Sequence, residues 1–164
     1  MSKKWNGSDF FKMMAENEKA VATLYRQIAS DGKFGGKFFE NLAKDEDRHY
    51  DIYTALLKKY ESSHELTVEV SEEDEQYLNL LIENNLLKNA DKVLEKAAKA
   101  TIKDDVYDLA ERAERDSVLF VEELIRLFPN LQPEDFKIVL QEEKNHLRQV
   151  LSQRMESQLR TLRL

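Results

Sequence analysis

Two places in this sequence carry a glutamate with a histidine three residues on, Glu46 with His49 and Glu143 with His146. Each follows a lone glutamate, Glu18 or Glu114, by 28 residues in the first half and 29 in the second. Residues three apart share one face of a helix, so each Glu-x-x-His can aim a carboxylate and an imidazole at one point. Carboxylate oxygen and imidazole nitrogen suit iron and manganese, and that donor type does not exclude zinc. One glutamate from each of two helices, with Glu-x-x-His from each of two more, is the donor pattern of di-metal carboxylate bundles.

Glu-x-x-His alone is a weak signal. A third copy, Glu61 with His64, sits in a polar stretch after a helix and reads as chance. The weight lies in the placement of the other six. Phe11, Met14, Glu18, Val21, Tyr25 and Ile28 fall at spacings of three and four, as do Phe39, Leu42, Glu46, His49, Tyr53 and Leu56. Tyr107, Ala110, Glu114, Ser117, Val121 and Leu124 form a third stripe, and Phe136, Val139, Glu143, His146 and Val150 a fourth. Such stripes face a core, and each carries a glutamate near its middle.

A carboxylate in an apolar core becomes protonated, paired or metal-bound. Four of them carry about four negative charges, which two divalent cations would balance, with neutral imidazoles completing the coordination. The bland alternative, surface groups or acids paired among themselves, predicts no ion. Glu111 stands one turn before Glu114, and an alternative register would make Glu111 the first ligand and Glu114 an extra one. The half-to-half spacing favours Glu114.

Four long helices must hold these stripes. The periodicity predicts the first from about Ser8 to Ser30, ended by the turn chemistry of residues 31–36, and the second from about Lys37 to Tyr60. A third is expected from near Thr101, where Thr101 and Asp104 have capping-box spacing, to Phe128 before Pro129. A fourth opens at Pro133 and runs to about Leu159. Residues 61–100 make a long crossover, extended over Leu66–Val70, with two shorter helices expected from Glu72 to Leu87 and from Asn89 to Ala100. A four-helix bundle closed by such a crossover is ferritin-like, so the expected fold is all-α, a single di-metal domain over residues 1–164.

Bulk composition agrees. Only 4 Gly and 2 Pro among 164 residues favour helix. With no cysteine there is no disulfide, thiolate nucleophile or iron–sulfur cluster. A net charge of -7 disfavours nucleic acid, whose binding rests on Lys and Arg against phosphate. Arg148, Arg154, Arg160 and Arg163 read as cations near a helix end. Trp5, Met13 and Met14 read as packing residues. No apolar run is long enough to span a membrane, and the first residues show no apolar signal core, which leaves the cytoplasm as the expected compartment.

The segments AENEKAVATLYRQIA, FFENLAKDEDRHYDIY, DLAERAERDSVLFVEEL and FKIVLQEEKNHLRQVL resemble the rubrerythrin-like branch of the ferritin-like di-iron superfamily. The resemblance rests on Glu18 followed seven residues later by Tyr25, the ERDSVLF run from Glu114, and EEKNHL, and it covers about half the chain. It implies two iron ions held by Glu18, Glu46, His49, Glu114, Glu143 and His146, reaction with peroxide or dioxygen, and a homodimer. Rubrerythrins proper carry a further glutamate one turn after the third-helix ligand, where this chain has Ser117. Many also carry a cysteine-bound rubredoxin iron, so here an external donor protein must supply electrons. The alternative is an iron-binding protein with little turnover. Tyr25 is either a hydrogen-bond donor to a ligating carboxylate or an ordinary core aromatic.

Overall fold

The computed structural model describes residues 2–162, so Arg163 lies outside the described residues. The four long helices are α1 (Ser8–Asp31), α2 (Gly36–Tyr60), α5 (Lys103–Leu127) and α6 (Pro133–Leu162). Between α2 and α5 run strand β2 (Thr67–Ser71) and the shorter helices α3 (Glu72–Glu83) and α4 (Ala90–Lys99). Helix α1 packs along α2, and α5 along α6, as two hairpins. The result is an all-α, ferritin-like four-helix bundle with one long, partly helical crossover.

Every residue of the four apolar stripes is buried. The hairpin turns follow from local chemistry. Helix α1 stops at Gly32, whose left-handed φ of 67° lets its N–H reach the Ala29 carbonyl at 3.2 Å. Gly35, at φ 82°, turns the chain into α2. Left-handed backbone is strained for a residue with a Cβ, and glycine relieves it.

One expected cap does not form. Helix α5 starts after Ile102 with no side-chain cap, so Thr101 and Asp104 make no capping box. The Asp104 carboxylate is taken instead by the Arg154 guanidinium, at 2.9 and 3.0 Å, and by Gln158 at 2.9 Å. Arg154 also reaches Asp108 and Glu111, so it ties α6 to α5 rather than merely facing a helix dipole.

The sequence reading did not anticipate strand β1 (Ser2–Asn6), which pairs antiparallel with β2 so that Trp5 lies opposite Val68. This small sheet seats Trp5 in the core, edge-on to Phe10 with ring centroids 6.0 Å apart. Helix α3 packs against the sheet, and α4 against α1.

The core has two apolar clusters. One gathers Phe10, Phe11, Tyr53, Phe120 and Phe136, and the other Leu24, Tyr25, Phe39, Tyr107 and Ala110. Along each long helix the acidic stripe residue falls between its contributions to the two clusters, so a polar layer crosses the bundle with apolar walls on both sides. Among the described residues, no helix is long and apolar enough to cross a membrane.

Gly7 joins β1 to α1, and its N–H donates to the Leu66 carbonyl at 2.7 Å. A Cβ there would meet Phe128 at 2.7 Å and the Leu66 oxygen at 3.2 Å. Overpacking a filled core costs about 1–3 kcal/mol. Gly7→Ala should lower unfolding stability in urea by about that amount, with helix content unchanged; an unaffected midpoint would mean that the β1 contact is loose.

Candidate metal centre

Four helices bring Glu18 (α1), Glu46 and His49 (α2), Glu114 (α5) and Glu143 and His146 (α6) into one buried cluster, none more than 2% exposed. Their donor atoms form two overlapping groups. Glu18, Glu46, His49 and Glu143 each offer one atom within 4.8 Å of the others, and so do Glu46, Glu114, Glu143 and His146. Glu46 and Glu143 belong to both groups, whereas Glu18 and Glu114 each serve one. Either group could hold a metal ion, and the shared carboxylates would link the two. Of the two registers open on α5, Glu114 faces inward, while Glu111 lies against Arg154 on the flank.

The histidines enter with a fixed orientation. His49 turns Nδ1 toward Glu143 at 2.7 Å and Glu46 at 3.2 Å. His146 turns Nδ1 toward Glu46 at 3.1 Å. Each outward Nε2 meets a further carboxylate: His49 donates to Glu142 at 2.8 Å and His146 to Asp45 at 2.9 Å. A carboxylate accepts and an imidazole N–H donates, so Nε2 keeps its proton toward the outer acid, and Nδ1, which faces the inner carboxylates, is the nitrogen that would meet a cation once its own proton leaves. Outer partners of this kind fix tautomer and ring angle at metal sites.

Asp45 and Glu142 were missing from the sequence reading. Their signal was present: each immediately precedes the glutamate of a Glu-x-x-His, in Asp45-Glu46 and Glu142-Glu143. The pairing itself was not readable, because it crosses the hairpins. Asp45 on α2 holds the histidine of α6, and Glu142 on α6 holds that of α2.

Tyr25 donates its hydroxyl to Glu114 Oε1 at 2.6 Å. Burial and the charge of Glu114 push its pKa up, which keeps the proton on the phenol. Tyr53 is wholly buried, and its hydroxyl meets no hydrogen-bond partner among the described residues. Asn17 donates to Ser117 across α1 and α5 at 3.2 Å.

The residues fit cations. Glu18, Glu114 and Glu143 each keep one buried carboxylate oxygen with no hydrogen-bond partner among the described residues. Buried polar atoms rarely stay orphaned, and a positive ion satisfies a carboxylate oxygen better than any neutral group. Without an ion, protons take its place. Burial, then the charges of Glu143 and Glu46, raise the Glu18 pKa well above the ordinary range. Burial and Glu143 push Glu114 up to about 7. Burial and Glu114 act upward on Glu46 too, but hydrogen bonds with Glu18, His146 and His49 bring it below the usual value. Burial opposes charge on His49, yet hydrogen bonds to Glu143, Glu18 and Glu46 hold its pKa far above normal. Glu114, Glu143 and Glu46 do the same for His146.

These shifts give a sign. Glu18, Glu114 and both histidines bind protons more tightly folded than unfolded. Their contribution to stability is complete below the unfolded pKa and is lost as pH rises through the folded one. For Glu114 that window runs from 4.5 to about 7. Chelator-treated protein should therefore melt at a lower temperature at pH 8 than at pH 5. Metal must displace those protons, so uptake of a divalent ion should release acid and tighten as pH rises. A flat melting profile, or uptake without proton release, would contradict this arrangement.

No curated protein and no solved structure matches the chain. Residues 7–157 match the family described as "Uncharacterized protein domain (DUF2202)". That match spans nearly the whole bundle and includes all six inward-facing residues, and the chain belongs to the DUF2202 family.

Proposed function

We propose that this chain is a di-iron carboxylate protein of rubrerythrin type, an oxidoreductase that reduces peroxide or dioxygen. The observation that supports this most is the sharing of Glu46 and Glu143 between two buried ligand groups. Oxygen and nitrogen donors without sulfur suit iron or manganese, and zinc is the redox-silent competitor. Bound as a ferrous pair, iron would supply the two electrons that turn peroxide, with two protons, into two waters.

The protein's own part is geometric and electrostatic. Glu46 and Glu143 would serve both metal positions, while Glu18 and Glu114 would each serve one. Asp45 and Glu142 hold the imidazoles in register. Tyr25 restrains Glu114 through its hydroxyl. The apolar clusters on either side keep bulk water out, which strengthens every charge interaction within the layer. Electrons must come from outside, because a chain with no cysteine carries no rubredoxin-type iron. The protein would then work with an external donor protein, in the cytoplasm, as a homodimer.

A second reading has its own support. Ser117 stands where rubrerythrins proper carry a further glutamate, and its hydroxyl accepts from Asn17. Fewer carboxylates at that point favour an iron-binding protein with little turnover.

Anaerobic loading with ferrous iron followed by peroxide separates the readings. The oxidoreductase reading expects two ferrous ions oxidised per peroxide, faster than free iron, and repeated cycles once a reductant is supplied. A single round per site, with reductant present, would favour iron handling. Oxidation no faster than that of free iron would remove the redox proposal.

A further inference from the structure

Arg48 lies beside His49 on α2, at the outer margin of the buried cluster, with 47% of its side chain exposed. Its guanidinium meets both acids that hold the histidines. Nη1 donates to Glu142 Oε1 at 2.9 Å, and Nη2 to Glu142 Oε2 at 2.8 Å. The same Nη2 donates to Asp45 Oδ1 at 3.0 Å. Asp45 thus gives one oxygen to Arg48 and the other to His146. Glu142 Oε2 receives both Arg48 and His49.

We propose that Arg48 is a positioning residue that locks the two histidine-orienting carboxylates together, so that both metal positions are preorganised by one cation. This inference rests on the metal-centre reading above.

The physical case begins with mobility. Asp45 and Glu142 are 41% and 27% exposed in their side chains, so water competes for them. A free carboxylate at such a position samples several rotamers, and ordering it costs entropy. Arg48 restricts both through a planar fork that matches carboxylate geometry, which a point charge cannot do. Because one nitrogen touches both acids, displacement of either is felt by the other.

The clamp also crosses the bundle. Arg48 and Asp45 belong to the first hairpin and Glu142 to the second, as His49 and His146 do in turn. The residue at the corresponding place in the second half, two after Glu143, is Asn145, which is engaged by Arg148 at 2.7 Å. A neutral amide there cannot duplicate the clamp. The two halves of the centre therefore depend on a single arginine.

Cobalt(II) titration and thermal melts of the whole protein, wild type beside Arg48→Met and Arg48→Lys, test this. Loss of an outer-layer partner typically weakens metal binding about 10–100-fold. Arg48→Met should still take two cobalt ions at saturation, each bound at least about tenfold more weakly. Its metal-free melting temperature should stay near wild type, since exposed ion pairs contribute little to stability, while the rise on adding cobalt shrinks. Arg48→Lys should recover part of the affinity, because an ammonium can hold one acid but not clamp both.

Wild-type affinity in Arg48→Met would overturn the proposal. So would the reverse pattern, a lowered metal-free melting temperature with an unchanged cobalt increment, which marks a purely structural ion pair. Should Arg48→Met fail to fold, Arg48→Lys carries the test: weaker cobalt binding with an unchanged metal-free melting temperature supports the clamp, and wild-type binding overturns it. Wild-type protein that takes up no cobalt(II) fails earlier, at the metal-centre reading, and this proposal falls with it.

Discussion

Four carboxylates inside an apolar bundle repel one another, and positive charge must sit among them for the fold to keep them there. That constraint organises the rest of the molecule. Glu18, Glu46, Glu114 and Glu143 come one from each long helix, so their shared need for cations is also a bond among all four. In metal-free protein, protons on the two imidazoles and on the raised carboxyls relieve the repulsion. A pair of divalent ions would do so with more charge in less space. The apolar clusters on either side supply the stability that lets such a layer exist.

The centre is built from two similar halves that are joined crosswise. Each hairpin contributes a glutamate and a Glu-x-x-His, and each sends an acid across to orient the other's imidazole. The halves are not equal, however. Tyr25 follows Glu18 by seven residues and Tyr53 follows Glu46 by seven, but the same offsets from Glu114 and Glu143 give Val121 and Val150. The phenols seven residues after a ligand therefore both come from the first hairpin. Arg48 adds to that bias. One position has the Tyr25 hydroxyl on its outer carboxylate, Glu114; the outer carboxylate of the other, Glu18, receives no phenol, the Tyr53 hydroxyl meeting no hydrogen-bond partner among the described residues. The two positions should differ in affinity.

Much of this was legible in the sequence because helical periodicity and buried polarity are local signals. The stripes through Glu18, Glu46, Glu114 and Glu143 are buried throughout, and the crossover is α-helical over Glu72–Glu83 and Ala90–Lys99, the first helix stopping short of the end of its pattern at Leu87. What escaped depends on partners far along the chain. Strand β1 forms only because β2, some sixty residues on, offers it an edge. Asp104 looks like a capping residue until Arg154 reaches it from α6. Asp45 and Glu142 look like ordinary surface acids until the hairpins cross. A choice such as Glu114 over Glu111 needed only spacing, while the pairing of Asp45 with His146 needed the packed bundle.

Anomalous diffraction from crystals grown anaerobically with ferrous iron addresses the central claim most directly. Two peaks at the iron edge, about 3.5–4 Å apart as in two-metal sites and enclosed by Glu18, Glu46, His49, Glu114, Glu143 and His146, are the expected result. A map with no peak in that layer, or with iron only at surface acids, would contradict the account.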